Sequence, residues 1–140
     1  MDYNALMATD SQSLYDMIGG GSGLRQLVDR FYDTMDSAPE ASKVRAIHPE
    51  DLSLSRDKLY MFLSGWSGGP PLYVQTYGHP RLRQRHMPFP IGREERDEWL
   101  WCMDKALHES GFDEKLIQHL KTKFTEIANS MQNRVNIDPL

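Results

Sequence analysis

Three stretches of the chain repeat their apolar residues at steps of three and four, and that spacing commits most of the sequence to helices. Leu24, Leu27, Val28, Phe31, Tyr32 and Met35 share one face of a helix expected over 23–36. Trp99, Leu100, Met103, Ala106 and Leu107 do the same over 93–109. Leu116, Ile117, Leu120, Phe124, Ile127, Ala128 and Met131 form the stripe of a last helix that Asp113 can cap. Shorter helices are expected over 13–18, over 55–65 with Leu59, Phe62 and Leu63 together, and over 81–86 ahead of Pro88 and Pro90. Gly19-Gly20-Gly21 should stop the first helix, and Gly111 the one over 93–109.

Pro39 and Pro49 bracket what reads as a short irregular connection containing His48. Residues 65–80 carry enough Gly and Pro to read as a loop, of a length that is often functional. The one hint of a strand, Leu72-Tyr73-Val74, is too short to count. The expected fold is all-α, with one domain over 13–132, an extension over 1–12 and a tail over 133–140.

The net charge of −4 weighs against nucleic acid and anionic membranes as general partners. No run approaches the roughly 18 apolar residues of a membrane span. Residues 1–12 lack the basic and apolar order of a secretory signal, and Cys102 is the one cysteine, so a reducing, cytoplasmic setting is expected. Hydrophobic content of 39% is modest, as expected where a bound group fills part of the interior.

Among five histidines there is no His-x-x-x-His pair, and Cys-x-x-Cys is missing, which disfavours zinc. His108 and His119 fall on polar helix faces. A single histidine with open coordination suits haem, whose iron asks the protein for one strong axial nitrogen. His86 is the candidate: it ends a short helix, and Pro88 and Pro90 fix the chain just beyond it. Arg81, Arg83 and Arg85 could meet two propionates, while Leu82, Phe89 and Ile91 could pack on a flat apolar ring. The same residues admit two other accounts. One is a surface cap beside a solvated basic face balanced by Glu94, Glu95, Asp97 and Glu98; the other is a haem-independent module in which the arginines at 81, 83 and 85 bind an anion or a phosphate. The acidic total and the missing aromatic–basic interleaving weigh against nucleic acid.

Phe31-Tyr32, Gly19-Gly20 and Trp66-Ser67-Gly68-Gly69-Pro70 resemble the group II truncated haemoglobins of bacteria. So do two longer runs, Tyr77-Gly78-His79-Pro80-Arg81-Leu82-Arg83-Gln84-Arg85-His86-Met87-Pro88-Phe89 and Glu95-Arg96-Asp97-Glu98-Trp99-Leu100-Trp101-Cys102-Met103. The likeness runs in order over about 13–131 and implies a two-over-two helical sandwich around haem b. It implies a reduced first helix and a proximal helix shortened to a loop plus one turn.

The resemblance makes His86 the axial iron ligand and puts Tyr32, His48 and Trp99 at the distal ligand site, where O2, CO or NO would bind. Helical geometry also sets Tyr32 on the core face, where a buried phenol must find a partner. Trp99 can only donate, and Trp101 lies about 200° from it on an ideal helix. His48 departs from many relatives, which carry Tyr or Phe before the proline, and it leaves the distal hydrogen-bond pattern open. Ser55 stands where ordinary globins keep a distal histidine and leaves a side route to the iron. Leu59, Phe62 and Leu63 would pack on the distal face, with Lys58 and Tyr77 reaching the propionates. Phe31, His79, Leu82, Arg83, Arg85, Phe89, Ile91 and Met103 complete the expected haem contacts. With no external ligand, Tyr32 and then His48 are candidates to reach ferric iron. Three distal donors would slow O2 release, which favours sensing or the chemistry of NO and peroxide over carriage. Turnover would need an outside electron donor.

Overall fold

The computed structural model describes residues 13–134. The extension expected over 1–12, and all but the first two residues of the expected tail, lie outside that range. Among the described residues there are eight α-helices, one 3-10 turn and no strand.

Helix α1 (Leu14–Ile18) is capped by the Ser13 hydroxyl, which accepts from the Asp16 amide at 3.2 Å. It ends on Gly19, whose φ of +108° is left-handed and suits glycine. Helix α2 (Gly20–Ser37) follows at once, three residues before the start expected at 23, because Gly19 ends one helix and opens the next. The turn is tight: a Cβ at Gly23 would stand 2.1 Å from the Ile18 carbonyl oxygen. The α2 face is buried as its spacing predicts, from Leu24 through Met35.

The connection between Pro39 and Pro49 is not irregular. It holds a 3-10 turn (Pro39–Ala41) and α3 (Ser42–Ala46). Pro39 opens the turn, where its missing N–H costs nothing. The cap comes from afar: the Lys43 and Val44 amides donate to one Glu98 carboxylate oxygen at 2.8 and 2.9 Å. Helix α4 (Ser53–Trp66) is tied to α2 by Arg56, which pairs with Asp29 and Asp33 at 3.1 and 2.7 Å.

Residues 65–80 also hold a helix, α5 (Leu72–Tyr77), so the apparent strand hint is helical. Pro71 precedes it, Gly78 at φ +79° ends it, and Tyr73 is its one buried residue. Helices α6 (Leu82–His86), α7 (Arg93–Glu109) and α8 (Glu114–Met131) keep close to their expected bounds. Asp113 caps α8 by accepting from the Leu116 amide at 2.9 Å.

Helix α2 packs on α4 and on α7, and α7 packs on α8, which gives two helix pairs laid over one another. Phe31, Phe124, Leu24, Leu107, Leu120 and Met103 fill the shared core. Cys102 joins them beside the expected stripe, and burial, helped by Glu98, pushes its thiol up to about 12. It therefore stays protonated and unreactive. None of the described helices is long and apolar enough to cross a membrane.

Candidate functional site

A cavity of about 480 Å³ opens between the helix pairs, within the roughly 300–1,000 Å³ typical of cofactor sites. Its walls are mostly apolar. Leu54, Leu59, Phe62 and Leu63 come from α4, Leu82 from α6, and Ile127, Ala128 and Met131 from α8. Tyr32, His48, His86 and Trp99 all face into it.

His86 ends α6 with Nδ1 2.7 Å from the Leu82 carbonyl oxygen. A carbonyl can only accept, so Nδ1 carries the hydrogen and the neutral ring keeps its lone pair on Nε2. Helix α6 starts from Arg81, which at φ +46° is the one non-glycine residue in the left-handed region among the described residues. Its amide donates to His79 Nδ1 at 3.1 Å.

Asn133 ties down the segment beyond His86. Its Nδ2 donates to the His86 and Phe89 carbonyls at 3.0 and 2.9 Å, and its Oδ1 accepts from the Ile91 amide at 3.0 Å. The amides of Asn133 and Arg134 both donate to the Ile91 carbonyl. The tail boundary expected at 133 thus passes beside the residue that holds the His86 turn.

Three part-exposed side-chain bonds at about 0.5–1.5 kcal/mol each make Asn133→Ala destabilising by about 2–4 kcal/mol. Asn133→Asp should be at least as harmful, because it turns a carboxylate toward two carbonyls. Urea unfolding of the three proteins checks this, and equal midpoints would show that the backbone contacts alone suffice.

On α2, Tyr32 is only 4% exposed. Burial pushes its phenol above the ordinary 10.0, more than the Arg56 cation lowers it, so it remains an O–H donor. Phe31 does not line the cavity. It packs edge-on behind Tyr32 and Trp99, with centroids at 4.9 and 5.1 Å, and so holds both. Trp99 also rests against Phe124.

His48 stands with its ring 5.9 Å from that of Tyr32. Its Nδ1 is 2.8 Å from the Val44 carbonyl oxygen and must donate there. Burial holds its pKa below 6.5, against the opposing pull of that bond and with help from the Arg45 and His86 charges. At pH 7 the ring is neutral, and Nε2 offers a lone pair. The three expected donors become two donors and one acceptor.

Ser55, Lys58, Leu59, Phe62, Leu63, Leu82, Arg85, Phe89 and Ile91 line the cavity. Tyr77, His79, Arg83 and Met103 do not. Tyr77 is 37% exposed under the Lys58 ammonium, and His79 is exposed with Nδ1 engaged by Arg81. Met103 is buried in the core. Arg83 is turned about 100° from Leu82 on the helix and donates to the Ser130 and Gln132 carbonyls at 3.1 and 3.0 Å. Arg85 lies over the Tyr73 ring and donates to the Tyr77 and His79 carbonyls.

Val44, Ile47, Leu54, Tyr73, Glu95, Arg96, Ile127, Ala128 and Met131 line the cavity without having been anticipated there. Ile127, Ala128 and Met131 already belonged to the α8 stripe, a usable signal. Val44 and Tyr73 sit on the two helices that periodicity misses, and Ile47 directly follows the first of them. Glu95 and Arg96 carried none; Glu95 accepts from the Gly92 amide at 2.7 Å and Arg96 binds Gln132 at 2.9 Å. The lining fits a flat, largely apolar group whose metal takes one imidazole nitrogen.

The bacterial-like globin family model matches residues 13–133. The chain is 39% identical over 115 residues to Group 2 truncated hemoglobin YjbI of Bacillus subtilis, covering 82% of this chain and 85% of that protein. Among solved structures it is similar to the Group II 2-on-2 hemoglobin of Agrobacterium tumefaciens, with 47% identity and a TM-score of 0.85 over 89% of this chain and 96% of that one. It is also similar to a truncated oxygen-avid haemoglobin from Bacillus subtilis, with 39% identity and a TM-score of 0.79 over 87% of this chain and 100% of that one.

Proposed function

The chain belongs to the bacterial-like globin family, as a group II truncated haemoglobin, and we propose that it holds haem b through His86 Nε2 and binds O2 and other diatomic ligands beside Tyr32, His48 and Trp99. The observation that carries this reading is His86, whose Nδ1 is spent on Leu82 and whose Nε2 is free in a cavity shared with those three side chains. When bound, haem supplies a ferrous centre able to take O2, CO or NO.

The chain does the rest. Leu82 fixes the His86 tautomer, and a hydrogen-bonded Nδ1 makes the other nitrogen a better donor to metal. Arg85 and Lys58, both in the cavity wall, would meet propionates. The Tyr32 hydroxyl and the Trp99 indole donate toward a polarised ligand, while His48 can accept from the Tyr32 hydroxyl and aim it. Two donors still favour slow O2 release, which suits sensing, NO oxidation to nitrate or peroxide reduction better than carriage.

A haem-independent anion site at Arg81, Arg83 and Arg85 has less support. The guanidinium groups of Arg83 and Arg85 donate to carbonyls of different segments, so the three do not converge.

Hemin titration into the haem-free protein is expected to saturate at one equivalent, giving a sharp Soret band that shifts with CO after reduction. Broad, unsaturable absorbance would overturn the reading.

A further inference from the structure

Acidic residues outnumber basic ones in this chain, yet residues 58–92 contain no Asp or Glu while carrying Lys58, Arg81, Arg83 and Arg85. Elsewhere Arg25, Lys43, Arg45, Arg56, Arg96 and Lys121 each pair with a carboxylate, and Lys105, Lys115 and Lys123 are spaced out along α7 and α8 instead of clustered. On the His86 turn the pattern is different. Arg83 and Arg85 donate to neutral carbonyls, and Arg81 is exposed, so none of the three has a carboxylate partner among the described residues. A bound haem propionate would engage Arg85, leaving Arg81 and Arg83 to carry the surface charge. Just after them in the chain Met87 and Phe89 are 46% and 44% exposed, an apolar pair alongside the arginines. Arg85 and Phe89 belong to the cavity wall as well.

We propose that Arg81, Arg83, Arg85, Met87 and Phe89 form the docking face for an acidic one-electron carrier protein that reduces the haem. The proposal rests on the haem reading above. A small acidic protein suits this face because an apolar centre with a charged rim is the anatomy of a protein interface, and rim charges speed encounter with an oppositely charged partner. The overall charge of −4 works against an extended polyanion, whose field reaches beyond the local patch. A redox carrier suits it because an occupant touching Phe89 and Arg85 lies against the cavity wall. One electron leaves the carrier and converts ferric to ferrous iron, with no proton or atom exchanged.

The test uses the haem-loaded protein and an acidic plant-type [2Fe–2S] ferredoxin as the probe. Calorimetry should find binding that weakens as salt rises, and Arg81→Glu/Arg83→Glu should raise Kd about 10-fold or more. Arg81→Glu alone, at an exposed position, keeps the test valid should the double variant fold poorly, and should raise Kd about 3-fold. Lys105→Glu/Lys115→Glu makes the same change in net charge elsewhere, Lys115 lying about 22 Å along α8 from Ser130. That control should leave Kd within about 2-fold, and the rate of ferric reduction by reduced ferredoxin should follow the same order. Equal losses in both double variants, or salt-independent binding, would overturn the docking face. Comparable affinity for phosphatidylglycerol vesicles or duplex DNA would also overturn it, in favour of a general polyanion surface. A sample without a Soret band overturns the haem reading first, and its spectrum shows this before any docking is measured.

Discussion

His86→Gly is expected to come through purification with little haem, its affinity reduced at least about 100-fold, since loss of an outer-shell partner alone costs roughly 10–100-fold. The fold should survive. His86 is the last residue of α6, it is only half-buried, and glycine near a helix end costs about 1 kcal/mol or less. Added imidazole can enter the space the side chain leaves and restore a five-coordinate ferrous spectrum. Far-UV circular dichroism separates loss of ligand from loss of fold. A variant that keeps normal haem spectra without imidazole would mean another axial ligand. His48 would then be the first suspect and not His79, because His48 Nε2 is free in the cavity while His79 is exposed.

Tyr32→Phe and Trp99→Phe are each expected to raise the O2 dissociation rate constant about 10- to 150-fold, the worth of a 1.5–3 kcal/mol hydrogen bond to a polarised group. CO, which carries less charge, should respond less. Phe31 packs behind both side chains, so neither substitution should release the other residue from its place. The double variant should fall short of the product if both donors meet one ligand atom. His48→Phe should raise the rate far less, because its cavity-facing nitrogen accepts at pH 7. Stopped-flow displacement of O2 by CO measures the four variants beside the unsubstituted protein. Unchanged rates in both single donor variants would remove the distal cage.

The long helices α2, α7 and α8 were legible because each repeats its apolar stripe over several turns. Helix α3 was not, since Glu98, some fifty residues downstream, supplies the acceptor for its first amides. Helix α5 was not, since six residues with one buried side chain show no period. At the site, the arginines and prolines around His86 marked it as a candidate but left two other accounts open, and it was the resemblance that favoured an iron ligand. Which arginine faces the cavity could not: on a five-residue helix one position changes the direction by about 100°, and the phase is set by the left-handed backbone at Arg81. Asn133 gave no signal at all in a polar stretch, although it bonds to His86, Phe89 and Ile91.

The Asn133 contacts also set an order of events in the making of the protein. Asn133 is synthesised 47 residues after His86, an interval of about 2–10 s at roughly 5–20 residues per second. Until then the turn that ends at His86 lacks the three Asn133 bonds, and a five-residue helix is too short to persist alone in water. Ile127, Ala128 and Met131, which close the cavity from α8, arrive in the same interval. Before α8 is available, the α2 and α7 faces can meet while the cavity still lacks that wall. The His86 turn therefore gains its Asn133 clamp only once residue 133 has left the ribosome, and a chain cut short before that point would lack those three bonds.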